Sequence, residues 1–121
     1  YFASPVGGLI EFMDKLFWGS GSFALKPAAS VVSARRAGTT ATLDVINKYF
    51  LYAGMPVVSS QYWCMVHGNT PEEVLRDQEG MQIMRTLGRN MAWLLRSIEA
   101  GRGVGVVAPV REPRVSTNFI R

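Results

Sequence analysis

Residues 29–60 constrain this chain more than any other stretch. A short β-branched run, Val31-Val32, feeds a loop that ends in Gly38-Thr39-Thr40. After it, Leu43, Ile46, Phe50 and Ala53 fall on one helical face. Gly54 supplies a helix stop, and Met55-Pro56-Val57-Val58-Ser59-Ser60 reads as the next strand. A strand, a helix and a returning strand at this spacing form a βαβ unit, whose strands lie parallel and adjacent with a right-handed connection. Ligands of such sheets bind beyond the carboxyl ends of the strands. That edge is predicted to carry residues 33–38 after the first strand and residues 61–69 after the second.

A chain of 121 residues, 48% of them hydrophobic, makes one domain with an apolar core. One cysteine, Cys64, excludes an internal disulfide, and one histidine, His67, argues against a zinc site of Cys and His. Asp, Lys, Gly or Pro breaks every apolar run before a membrane-spanning length, and no signal-peptide pattern opens the chain, so a soluble cytoplasmic protein is expected. The net charge is +4, but the arginines are spread over several segments. A nucleic-acid face needs its charges gathered, so neither nucleic acid nor membrane is expected as a partner.

Ahead of the βαβ unit, Tyr1-Phe2-Ala3-Ser4-Pro5-Val6-Gly7-Gly8 has the character of a loop leaving a strand. Leu9, Phe12, Met13 and Leu16 then recur at helical spacing. Beyond the unit, residues 62–69 are apolar without a clean period and read as a buried or interface loop. Thr70-Pro71-Glu72-Glu73 is a helix start, with a Thr cap, Pro at the first position and Glu three residues after the cap. Residues 77–80 are expected to kink or restart that helix. Met84, Leu87, Met91, Leu94, Leu95 and Ile98 form its predicted apolar stripe, with Gly101 as its end. Residues 102–121 read as an extended tail docking on the domain or on a partner subunit.

Several of these segments together resemble one family, the flavodoxin-like NAD(P)H-dependent FMN reductases and their iron–sulfur flavoprotein relatives. Residues 1–15 look like the loop and helix after that family's third strand. Ser33-Ala34-Arg35-Arg36-Ala37-Gly38 with Thr39-Thr40 looks like the loop beside the flavin ring. Met65-Val66-His67-Gly68, residues 77–80, Asn90-Met91-Ala92-Trp93-Leu94-Leu95 and residues 117–121 are similar to the closing part of the domain. The resemblance implies an α/β, flavodoxin-like parallel sheet with flanking helices, here lacking the first strands and the phosphate-binding loop. Residues 1–101 would be the carboxyl-terminal half of such a domain. An amino-terminal half or another chain would complete the sheet, and the assembly would be a homodimer or homotetramer.

The resemblance further implies FMN as cofactor and NAD(P)H as co-substrate, with hydride passing from nicotinamide to flavin and on to an acceptor. No catalytic acid or base is required of the protein. Flavin-binding positions are then Tyr1, Phe2, Ala3, Ser4, Ser33, Ala34, Arg35, Arg36, Ala37 and Gly38. Arg35 and Arg36 would stabilise negative charge at one edge of the reduced ring; the plainer alternative is a pair of surface arginines. Gly38 would allow a close backbone approach to the ring or to a helix. Trp63 and His67 are the candidates for the substrate side, against the alternative of a packing residue and a structural hydrogen-bond partner. The rival function is a non-catalytic, flavodoxin-like interaction module that binds no flavin.

Overall fold

A computed structural model describes residues 3–19, 22–113 and 115–120. Its order is α1 (Gly7–Gly19), β1 (Val32–Ala34), α2 (Thr39–Tyr52), β2 (Met65–His67), α3 (Pro71–Arg76) and α4 (Gln78–Gly103). Among the described residues the sheet has two strands, β1 beside β2, running parallel with Val32 opposite Met65 and Ala34 opposite His67. The molecule is therefore a mixed α/β fold, a small parallel sheet with flanking helices. No helix among the described residues is long and apolar enough to cross a membrane.

The βαβ unit is present, but its second strand is not where the sequence predicts it. Residues 55–60 contribute a single parallel bridge, Ala28 to Val57, and the regular strand is Met65–His67, in the stretch read as a loop. Ala28 pairs with a residue 29 positions later and Val32 with one 33 positions later, so the second strand carries four extra residues between its two contacts. Those residues bulge outward with Tyr62 and Trp63 exposed. The two runs compete because a short apolar run fixes neither register nor length.

Helix boundaries follow local chemistry more closely. Gly38 precedes α2, and Thr42 returns both its N–H (3.0 Å) and its hydroxyl (2.7 Å) to the Gly38 carbonyl. The Thr70 hydroxyl accepts the Glu73 N–H, opening α3 as expected. At Asp77 the chain stops one helix and starts the next, so the restart predicted over residues 77–80 is real. Helix α4 then continues two residues past Gly101 to Gly103.

The core lies between α2, the strands and the first half of α4, from Leu43, Ile46, Ala34, Met65, Ile83 and Leu87. Met13 of α1 joins the buried set. Phe17 packs α1 against α2 through Tyr49 and Phe50, with ring centroids 5.7 and 6.2 Å away. The apolar stripe of α4 is buried only near its start. Leu87 is buried, whereas Met84, Met91, Leu94 and Ile98 are half-buried and Leu95 is exposed. Ile83, absent from the predicted stripe, is 2% exposed and the most buried of the core residues. A helix of 26 residues, about 39 Å long, outruns a sheet this short, so its later turns have little beneath them.

The two outer edges of the sheet differ. On the β2 side, the Met65 N–H donates to the Trp63 carbonyl (2.8 Å) and the His67 N–H to the Asp77 carboxylate (2.7 Å), which closes that edge. On the β1 side, alternation sends the backbone groups of Val31 and Ser33 away from β2, and no described strand meets them. Residues 106–113 and 115–120 lie beyond α4 outside any regular element, with Val110, Val115, Phe119 and Ile120 exposed.

Candidate functional site

The carboxyl tip of β1 is built by a glycine. Gly38 sits at φ 88°, a left-handed conformation that L side chains rarely adopt. A Cβ there would lie 2.5 Å from the Ala3 Cα and 2.9 Å from its carbonyl carbon. The turn entering α1 is thus seated directly on the loop that leaves β1. Of the residues read as flavin-binding, the structure brings Ala3 against Gly38; Tyr1 and Phe2 lie outside the described residues. The close approach that Gly38 permits is to Ala3, so backbone packing already accounts for this glycine.

Around that contact, Ala34 is buried and anchors the loop, while Ser4, Ser33, Arg35, Arg36 and Ala37 are exposed. Neither Arg35 nor Arg36 has a carboxylate within ion-pair distance among the described residues. They stand one turn before the amino end of α2, whose first turn carries no acidic residue and no side-chain cap. Unpaired N–H groups and the helix dipole add positive potential there. The combination suits a planar or charged ligand with an electron-rich edge.

The tip of β2 is tied beside it. The Gly68 N–H donates to the Ala34 carbonyl at 3.2 Å, holding the two tips level. Asp77 secures β2 from behind, accepting the His67 N–H at 2.7 Å and the Gly80 N–H at 2.9 Å. These donors, Gly80 first and His67 second, hold its carboxyl below the usual carboxylate range, and the His67 ring Nδ1, 3.9 Å away, adds a smaller pull when charged. A Cβ at Gly80 would meet that carboxylate and come 3.0 Å from the Val66 Cα, so α4 starts as close to β2 as backbone allows. The sequence reading treats residues 77–80 only as a helix break. An Asp followed three residues later by Gly, ahead of a helical stripe, was the available signal for a cap that also reaches a neighbouring strand.

His67 is tied at the tip through its backbone N–H, while its ring Nδ1 stands 3.9 Å from the Asp77 carboxylate, beyond hydrogen-bond distance. Trp63 is elsewhere. It lines a cleft of ≈ 240 Å³ with Ser30, Asp44, Asn47, Ser59 and Cys64, against the α2 side of the sheet. Its ring packs on Tyr62 with centroids 4.7 Å apart, and the Ser30 hydroxyl donates to the Asn47 side-chain oxygen at 2.7 Å in the cleft wall. The structure does not gather Trp63 and His67 into one substrate pocket, because the outward bulge of β2 separates them. Burial raises the Cys64 thiol above its ordinary value, so it stays protonated at neutral pH.

What the arrangement offers is a paired strand tip, a cationic loop and a helix amino end. No family model, no curated protein and no solved structure matches this chain.

Proposed function

We propose that the chain is the carboxyl-terminal part of a flavodoxin-like, FMN-dependent NAD(P)H oxidoreductase. One observation carries the reading: the loop after β1, with Arg35 and Arg36 exposed and without ion-pair partners, meets the turn at Ala3 across Gly38 at the ligand edge of a parallel sheet. These residues fit the ring part of a flavin. The guanidinium of either arginine and the first-turn N–H groups of α2 would favour negative charge on the ring. When bound, the flavin accepts hydride from the nicotinamide and delivers electrons to an acceptor. In the family the chain resembles, the flavin phosphate is held by a separate Ser/Thr-rich turn at a helix amino end, which in this reading a further polypeptide segment would supply.

The same segment would complete the sheet. The open side of β1 is the place for further strands. Because α1 and α2 pack on each other, a right-handed connection from a strand entering Ala3 would set that strand against the open side of β1. Strand order and cofactor would then follow the flavodoxin-like pattern, with a homodimer or homotetramer as the working assembly.

Absorbance tests the proposal. Purified protein, alone or titrated with FMN, should show a flavin spectrum that NAD(P)H bleaches without air. Colourless protein that takes up no FMN, and still takes up none when co-produced with the rest of its polypeptide, would leave the non-catalytic interaction module as the function. The open sheet edge favours that second reading if flavin is not bound. Arg36→Ala is expected to weaken FMN binding by about tenfold, the worth of one charge-assisted hydrogen bond, with the circular dichroism unchanged. An unaltered FMN affinity and potential would remove Arg36 from the site.

A further inference from the structure

The outward face of α4 is unlike an ordinary solvated helix face. Counting about 100° per residue, Arg85, Arg96, Arg89 and Trp93 fall within an arc of about 80°, centred about 140° round the helix from the side that carries Ile83 and Leu87. The three guanidinium groups span about 16 Å along the axis. All four residues are exposed, Trp93 by 70%. None of the arginines has a carboxylate within ion-pair distance among the described residues, and no cation stacks on the Trp93 ring. Glu79 and Glu99 lie to either side of this arc. Between the turns, Ala92, Ser97 and Ala100 leave a shallow groove along Arg89, Trp93 and Arg96.

We propose that this face docks an acidic protein segment, a helix whose carboxylates meet Arg85, Arg89 and Arg96 and whose apolar side chain covers Trp93. Trp and Arg are the residues that most often dominate interface energetics, and small neighbours give an approaching helix a groove for its ridge. Other occupants fit less well. Pairing with the same face of a second copy across a two-fold axis would set arginine against arginine. A lipid surface needs an apolar helix face, and on α4 that face, Met91, Leu94, Leu95 and Ile98, lies on the other side of the helix from these arginines. A nucleic acid needs a broader cationic surface than one helical column. The area of one helix face places the complex among transient ones. The proposal does not depend on flavin binding.

The probe is a blocked helical peptide of Glu, Leu and Ala with glutamates at i, i+4 and i+11, followed by fluorescence anisotropy of a label on the peptide. Saturable binding is expected that weakens between about 50 and 200 mM salt. Trp93→Ala, which leaves the charge unchanged, and Arg89→Ala should each weaken it at least about fivefold, while the charge-matched control Arg76→Ala changes it less than about twofold. Absence of saturable binding overturns the proposal, as does an equal loss in Arg76→Ala, which would reduce the effect to net charge. Tighter binding of oligothymidylate or of phosphatidylserine vesicles through Arg89 and Trp93 would replace the proposed partner class. Conversion of a sedimenting dimer to monomer by Trp93→Ala would assign the face to a second copy.

Discussion

Gly38→Val is expected to unfold at a Tm about 10 °C lower than the parent chain and to lose the Ala3 contact at the tip of β1. Two costs add. A left-handed backbone conformation costs an L residue about 1–2 kcal/mol, and more for a β-branched one. In addition the new Cβ, placed 2.5 Å from the Ala3 Cα, would force the turn into α1 off the loop. Gly38→Asn separates the two effects, because Asn tolerates positive φ while still carrying a Cβ. If crowding dominates, Asn and Val are both destabilising; if the backbone conformation dominates, Asn stays near the parent. Urea midpoints decide between these outcomes, and a parental midpoint in all variants would mean that the Ala3–Gly38 approach contributes nothing. In flavin-loaded protein, Gly38→Val should also lose more FMN than Arg36→Ala, since it displaces the loop rather than one side chain.

Asp77→Ala is expected to cost about 2–4 kcal/mol, as the sum of a lost helix cap and a strand N–H left without its acceptor. Its two oxygens do separate work, Oδ1 for the Gly80 N–H and Oδ2 for the His67 N–H. Asp77→Asn can keep only one of these bonds, because its NH2 faces a donor at the other, and should fall between parent and alanine. The pH dependence follows from the direction of the shift. The folded-state carboxyl lies below its ordinary 3.8, so the stabilisation is complete well above that value and disappears as the pH falls through the folded value. Stability curves of the parent and Asp77→Asn should therefore run parallel above about pH 5 and converge toward pH 3. Curves that stay parallel to pH 3 would show that the charge on Asp77 adds nothing to these contacts.

Both residues mark the places where local pattern and tertiary packing meet. The sequence identifies Gly38 as a loop residue before a helix that admits a close approach by a ring or a helix; in the structure Ala3, in the turn entering α1, makes that approach. Likewise, residues 77–80 announce a helix break, but nothing local says that the same Asp reaches the strand behind it. A side chain that serves two elements leaves a one-element signature in the sequence. Trp63 and His67 are close in the chain and look like partners in a pocket. The extra residues that bulge from β2 place one in a cleft beside α2 and the other against Asp77.

The sequence by itself determined the helices and where α2, α3 and α4 start, because caps, Pro and Gly positions and spacings of three and four residues act within a few ångströms along the chain. It also determined that strand, helix and strand would run parallel, since the connection is too long for a hairpin and long enough for a crossover. Which apolar run became the second strand was decided only in three dimensions, by the backbone of β1 selecting Met65–His67 and leaving residues 55–60 with one bridge. Tertiary structure likewise decided how far the α4 stripe is buried: its pattern continues to Ile98, but the short sheet covers it only as far as Leu87. Periodicity specifies which face of a helix is apolar; burial requires something to lie against it.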